Sequence, residues 1–452
     1  MKRRDFINIA ALMSSGALFG MNRIPGNFSF SSPGRNGGIE HVKRFGDGRD
    51  WFFEKRFGMF VHWGIYAIPA VHEQYMQRYN ISRKEYEKYA GLWNPVDFDP
   101  DRWLDLMQEA GMKYLTFTTK HHDGFCMWDT KQTSFNVMNT PYKKDILGML
   151  ADACHKRDIP LSLYYSIVDW HNPYYPNKGR HHELPPQPGD TPDWGKYMKF
   201  VKAQVKELCT NYGEIHGFWW DMNVPEYKDP SINEMIRKLQ PNAVINNRGF
   251  DDGDFGTPER DYHKGLSEIK AFTKPTEACQ SVGMQSWGYR KDEDYYADRY
   301  LKMSIDSYLA RGANYLLNVG PDAKGVIPAV PVGILQRIGK WYKKVDEAYH
   351  DVELVTGKVS NNSVLITAKD NTLYVHLNKL PIGNTVSLYP LKTLPDKARL
   401  LNTGKDVRCV VERKPYEKES FLWVQDIPVN DLSNEIPVIK LEFNKSLNEL
   451  LK

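Results

Sequence analysis

The chain has 452 residues, of which 41% are apolar and 26% charged, with mixed charges that leave a net +4. That length suits one large catalytic domain with a smaller companion, and the composition is that of a soluble globular protein. No basic stripe is present, which argues against a nucleic-acid partner. The five cysteines (Cys126, Cys154, Cys209, Cys279, Cys409) have no CxxC pair, which argues against a disulfide scaffold or a thiolate zinc site.

In chain order, Lys2, Arg3 and Arg4 form a positive start, and a short apolar stretch from Ile7 to Phe19 follows. This predicts a signal peptide within residues 1–30 and a periplasmic or secreted protein with no membrane contact after its removal. Arg3-Arg4-Asp5-Phe6-Ile7 resembles a twin-arginine signal. Gly58 to Gly64 reads as a buried strand. Asp99-Pro100-Asp101 opens a helix that Gly111 ends. Tyr114–Lys120 reads as a strand, Asp145–Lys156 as a helix, Leu161–Ser166 as a strand and Trp194–Tyr212 as a long amphipathic helix. Ile215–Asp221 is then a strand, Ile232–Leu239 a helix and Ala243–Arg248 a strand, and Glu277 begins a sixth strand.

Strand and helix alternate, which means a parallel sheet with helical crossovers. The fold class expected is α/β, a (β/α)8-like TIM barrel over residues 40–349. An open doubly wound sheet is the rival, but no Gly-rich first turn is present. After about His350 the runs Ser363–Ala368, Thr372–Leu377, Thr385–Leu388 and Val438–Phe443 predict a C-terminal antiparallel β-sandwich over residues 350–452.

Polar residues gather at the strand ends, the active-site face of such a barrel. They are His62, then His121, His122 and Asp123, then Tyr164, Tyr165, Asp169 and His171, then Trp219, Trp220 and Asp221, then Asn247 and Arg248. Imidazole, phenol and guanidinium offer directional hydrogen bonds, and indole offers a flat apolar wall, which suits a polyhydroxylated substrate. The aromatic content of 13%, with 12 Trp and 26 Tyr, fits such a site and equally fits a core. Asp221, after Gly217-Phe218-Trp219-Trp220, would be costly to bury unpaired. It reads either as a glycosidase carboxylate or as a helix cap. A second carboxyl would come from Glu259 or Glu277. Neighbouring His121 and His122 should point to opposite faces of a strand, and no HxH or HExxH spacing is present, so no metal and no cofactor are expected.

Phe57-Gly58-Met59-Phe60-Val61-His62-Trp63-Gly64, Lys120-His121-His122-Asp123-Gly124-Phe125, Leu163-Tyr164-Tyr165-Ser166, Trp219-Trp220-Asp221, Ser286-Trp287-Gly288-Tyr289 and Leu317-Asn318-Val319-Gly320-Pro321 occur in that order. This set resembles the glycoside hydrolases of family 29, the α-L-fucosidases. The resemblance implies a retaining exo-glycosidase acting on fucosylated glycans, with Asp221 as nucleophile. It places His62, Glu73, His121, His122, Tyr164, Trp219, Arg248 and Trp287 around the sugar. It implies Glu259 as acid/base, with Glu277 as the alternative. Two positions depart from the family. Gln74 follows Glu73 where Trp is common, and Thr276 precedes Glu277 where Trp is also common. Both remove apolar surface, which opens the expectation to a galactoside. A sugar-binding protein without turnover is the third reading.

Overall fold

The computed structural model describes residues 42–180, 182–222, 229–260, 270–359, 364–379, 383–415 and 418–450. The expected signal segment and Ser363 lie outside the described residues. Seven parallel strands form one curled sheet: β1 (Phe57–Val61), β2 (Tyr114–Lys120), β3 (Leu161–Ser166), β4 (Gly217–Asp221), β5 (Val244–Ile245), β6 (Glu277–Ser281) and β7 (Asn314–Val319). Their spatial order is β5-β4-β3-β2-β1-β7-β6. Helices Pro100–Glu109, Ile146–Lys156, Trp194–Thr210, Ser231–Leu239, Asp298–Ala310 and Ala329–Val345 intervene or follow. Three begin within a residue of where the sequence predicts, and each has an aspartate cap. The Asp99 carboxylate accepts from the Asp101 and Arg102 amides, Asp145 from Gly148, and Asp193 from Lys196.

The sheet does not stop at its two edges. Asn246 bridges to Phe255, Gly256 to Thr276, and Glu259 to Cys279, all in parallel sense. The stretch 255–259 therefore stands between β5 and β6 as an eighth stave, held by isolated bridges. One hydrophobic cluster collects a residue from every stave: Phe60, Tyr114, Tyr164, Trp219, Val244, Phe255, Cys279 and Leu316. Trp51 and Phe52 join the same cluster. This is the packed interior of a barrel-like ring, with side chains alternating inward every second residue.

The fifth strand is shorter than expected. The Asn246 side chain accepts from the Trp220 amide at 2.9 Å and donates to the Trp220 carbonyl at 2.9 Å. A side-chain amide thus takes over the ladder to β4, and the regular strand ends at Ile245. Gly253, at φ +60, then lets the chain double back, because a Cβ there would lie 2.4 Å from the Asn246 carbonyl oxygen. No helix among the described residues separates β5 from this stave, which departs from strict strand–helix alternation.

Beyond the barrel, β8 (Glu353–Leu354), β9 (Leu365–Lys369), β10 (Thr372–His376), β11 (Val386–Leu388), β12 (Lys397–Leu400), β13 (Lys405–Asp406), β14 (Arg408–Glu412), β15 (Phe421–Gln425) and β16 (Val438–Glu442) pair antiparallel in two sheets. Ile366, Val375, Leu388, Leu422, Val424 and Ile439 from both sheets share one core. Among the described residues no helix is long and apolar enough to cross a membrane.

Asp306, on helix Asp298–Ala310, ties the barrel to this region. Its carboxylate meets His376 Nδ1 at 2.6 Å, accepts from Asn378 Nδ2 at 2.6 Å and accepts from the Tyr349 hydroxyl at 2.8 Å. Asp306 and His376 are both fully buried. Removing one member strands the others without water, at a cost of about 3–5 kcal/mol. Asp306→Ala should lose that much stability in urea unfolding; a loss under about 1 kcal/mol would show that the tie is dispensable.

Candidate active site

The strand-end side chains meet in one pocket. It is lined by His62, Glu73, His121, His122, Tyr164, Trp219, Asp221, Arg248, Glu259 and Trp287. Asp221 is the last residue of β4, and Tyr164 stands beside it on β3. The Tyr164 hydroxyl donates to Asp221 Oδ2 at 2.7 Å, and Arg248 donates to Oδ1 at 3.0 Å. His122 Nε2 lies 3.7 Å from Oδ2. Burial pushes the Asp221 carboxyl up, but Arg248, the Tyr164 hydroxyl and the Met222 amide outweigh it and hold the group below the usual carboxylate range. Asp221 is therefore a mostly buried anion in the pocket floor.

Arg248 also donates to Glu259 Oε2 at 2.9 Å. Its Nε donates to the Thr257 hydroxyl at 2.7 Å, and its second terminal nitrogen to the Thr257 carbonyl at 3.0 Å. One guanidinium thus sets two carboxylates side by side. The Asp221 side chain is 14% exposed and that of Glu259 is 39% exposed. The first is the deeper group, and the second sits at the rim. Beneath them Trp219 forms a plate. The Arg248 guanidinium lies 4.7 Å over its ring, and the Tyr164 ring stacks on it at 5.8 Å and 19°.

The histidines supply neutral hydrogen-bonding groups. Asn318 Nδ2 donates to the Trp287 carbonyl at 2.6 Å, so its Oδ1, 2.7 Å from His62 Nδ1, accepts a hydrogen bond from that imidazole N–H. Ser166 Oγ donates to the Val168 carbonyl at 2.7 Å and accepts from His122 Nδ1 at 2.6 Å. In both rings Nε2 is left as the acceptor, suited to a sugar hydroxyl. Burial pushes His62 and His122 down to about 4. His121 is also held well below its ordinary value, first by burial and then by His122 and His62. Its ring lies 8° from parallel with Tyr164.

His121 and His122 do not point apart as a strand would require. Their rings lie 4.1 Å apart and share the pocket. The reason is that β2 ends at Lys120, so both follow the strand and escape its alternation. Among the described residues no three His, Cys, Asp or Glu groups are placed to hold a metal.

Glu73 is buried, and its Oε2 accepts from the Ser286 hydroxyl at 2.6 Å and the Trp287 amide at 2.9 Å. It ties the loop after β1 to the loop carrying Trp287, whose ring lies 5.3 Å from His62. Burial raises Glu73, yet His72, the Ser286 hydroxyl and His62 bring it below the ordinary value. Gln74 lines the same pocket, held between Arg78 Nε at 3.3 Å and His182 Nδ1 at 3.4 Å.

Several expected residues are elsewhere. Glu277 starts β6, at the opposite pole from the strand ends. Its Oε1 accepts from Trp219 Nε1 at 2.9 Å and its Oε2 from the Tyr114 hydroxyl at 2.5 Å, both inside the barrel. Burial pushes it up to about 7. Thr276 precedes it at that pole and does not line the pocket, so its replacing Trp takes no apolar surface from the pocket wall. Asp123 accepts from the Tyr86 hydroxyl at 3.0 Å, and Asp169 pairs with Lys120 Nζ at 3.0 Å; both brace loops rather than line the pocket. Phe60, His182, Met222 and Cys279 line it without having been anticipated. Alternation along β6 from Glu277 would have found Cys279. Nothing local marks His182, which belongs to an irregular loop.

The Alpha-L-fucosidase family model matches residues 42–347. The tissue α-L-fucosidase of Bos taurus is 28% identical, over 85% of this chain and 86% of that protein. α-L-Fucosidase isoenzyme 1 from Paenibacillus thiaminolyticus superposes with a TM-score of 0.78 at 33% identity, over 88% of this chain and 100% of that one. An α-L-fucosidase from Bacteroides thetaiotaomicron, solved as a trapped covalent intermediate with 2-fluoro-fucosyl fluoride, superposes with a TM-score of 0.75 at 26% identity, over 90% and 99% of the two chains.

The low His62 and His122 values carry a pH signature. The folded protein holds these rings neutral down to about 4, while unfolded imidazoles take a proton near 6.5. Their contribution to stability is complete above the ordinary value and is lost as pH falls towards 4. Asp123 and Glu277, raised by burial to about 7, act oppositely, losing their contribution as pH rises towards that value. The difference between proteins isolates the histidines. A His62→Gln, His122→Gln double variant should gain in urea midpoint relative to the wild type as pH drops from 6.5 to 4. A constant difference across that range would contradict this account.

Proposed function

The chain belongs to the α-L-fucosidase family of glycoside hydrolases, and on that premise we propose that it releases terminal α-L-fucose with retention of configuration, Asp221 serving as nucleophile and Glu259 as acid/base. The observation that carries this reading is the single Arg248 guanidinium paired with both carboxylates at the pocket. A retaining mechanism needs its two carboxyls roughly 5–5.5 Å apart, close enough for one to attack while the other serves the leaving oxygen. The Bacteroides relative's trapped covalent intermediate supports the same two-step course.

In the first step an Asp221 oxygen bonds to the anomeric carbon as the glycosidic bond breaks. Glu259 gives its proton to the departing oxygen. In the second, Glu259 takes a proton from water, whose oxygen displaces Asp221 and restores the carboxylate. The Arg248 contact belongs to the deprotonated Glu259, the form the second step starts from. Arg248 and Tyr164 disperse the Asp221 charge without proton transfer, and the neutral His62, His121 and His122 orient hydroxyls. The ring of eight staves fits a (β/α)8-like scaffold for this site.

Asp221→Gly should lower aryl α-L-fucoside turnover by at least ~10³-fold, with azide restoring activity and giving an inverted fucosyl azide. Glu259→Ala should be rescued by azide with retention. Near-normal turnover in either variant would remove the assignment. Aryl galactosides assayed beside the fucoside test the second sugar, whose support is the polar Gln74 in the pocket wall. Galactoside turnover equal to fucoside turnover would overturn fucose preference.

Export is the second part of the proposal. It rests on Lys2, Arg3 and Arg4 followed by the apolar stretch Ile7–Phe19. Intact mass of protein recovered from the periplasm or medium should correspond to a chain cleaved by about residue 30. Recovery of the uncut chain in the cytoplasm alone would count against it.

A further inference from the structure

We infer that Glu277 is a positioning residue: its carboxyl grips the indole edge of Trp219 from inside the barrel and, through that plate, sets Arg248 between Asp221 and Glu259. The inference rests on the fucosidase reading of the site above.

The geometry is a chain of contacts with little slack. Glu277 is 2% exposed and faces the barrel interior two residues before Cys279, which lines the pocket. Its Oε1 takes the indole N–H at 2.9 Å, and its Oε2 takes the Tyr114 hydroxyl at 2.5 Å. Tyr114 packs edge-on against Trp51 at 5.5 Å, so this anchor is itself fixed. With both oxygens engaged below Trp219, the carboxyl has no free reach to a leaving group in the pocket.

Trp219 then does two things with its ring. It stacks on Tyr164, whose hydroxyl holds Asp221, and it lies under the Arg248 guanidinium. An indole has one donor, and a buried donor needs its partner. Turning the ring over would take the N–H off Glu277 and disturb both stacks. The N–H···O bond therefore selects one orientation of the plate.

The raised proton affinity of Glu277, to about 7, comes from burial without a facing cation. It resembles that of a catalytic acid, yet the placement serves support. A neutral amide can replace such a group where a proton donor could not be replaced.

The test uses the full chain with an aryl α-L-fucoside and the variants Glu277→Ala, Glu277→Gln, Trp219→Phe and Glu277→Ala with Trp219→Phe. Glu277→Ala should lose on the order of 10²-fold in kcat, with KM shifting only a few-fold. Glu277→Gln, which keeps an acceptor for the indole, should stay within about 10-fold of wild type. In the Trp219→Phe background, which has no indole N–H, the Ala substitution should cost less than about 3-fold further. Azide rescue of Glu277→Ala, an equal loss in both backgrounds, or a Gln variant as poor as Ala would each overturn the inference. An independent reading comes from ¹⁵N-tryptophan labelling, with the Trp219 signal identified by its absence in Trp219→Phe. That indole N–H should be protected from exchange in wild type and Glu277→Gln. Rapid exchange in wild type would overturn the inference even if Glu277→Ala does not fold. Absence of fucoside turnover in wild type with a protected indole would instead fault the functional reading.

Discussion

Arg248 is the contact on which the rest of the site depends. A partly buried guanidinium has to answer most of its five N–H donors, and here Asp221, Glu259 and Thr257 take four of them. The arrangement requires three separate pieces of chain to arrive together: the end of β4, the turn after β5 and the stave 255–259. That stave has little ladder of its own, and its Pro258 has no amide to offer. The arginine supplies cohesion where regular strand pairing is thin. The same ion pairs that place the two carboxylates therefore also help to close the ring.

A second brace works from outside the pocket. Lys120 is fully buried, pairs with Asp169, and lies 4.4 Å over the Tyr165 ring. The other Asp169 oxygen accepts from the His171 and Asn172 amides at 3.0 and 2.8 Å, and the Trp170 amide donates to the His122 carbonyl at 2.8 Å. The loop after β3 is thus strapped to the loop after β2. This separates the jobs within Lys120-His121-His122-Asp123. The two histidines enter the pocket, while the residues flanking them hold the loop in shape. A run of polar residues at a strand end need not all face the substrate.

Most of the scaffold was legible in the sequence because its signals are local. Apolar runs marked β2 and β3 to the residue, Asp99 with Pro100 marked the start of one helix, and helical spacing marked those at Ile146 and Trp194. The eighth stave was not legible, because Gly256-Thr257-Pro258-Glu259 lacks the apolar alternation of a strand and pairs through isolated bridges. The early end of β5 was hidden for a related reason: Asn246 replaces backbone pairing with a side-chain amide, which composition does not announce. His182 reaches the pocket only through tertiary folding of its loop. The position of Glu277 was latent in the sequence. A residue that opens a barrel strand lies at the pole opposite the site.

Glu277 and Glu259 also separate two criteria that often travel together. Burial gives Glu277 the raised proton affinity expected of a general acid. Yet its oxygens are spent on Trp219 and Tyr114 within the barrel. Glu259 is partly exposed at the rim and shares a guanidinium with Asp221. A proton must travel a hydrogen-bond length to the departing oxygen, so reach is the first requirement and proton affinity the second. On that order the acid/base role proposed above falls to Glu259 rather than to Glu277. The unusual affinity of Glu277 follows from what a carboxyl experiences when it is used to hold an indole in place inside a barrel.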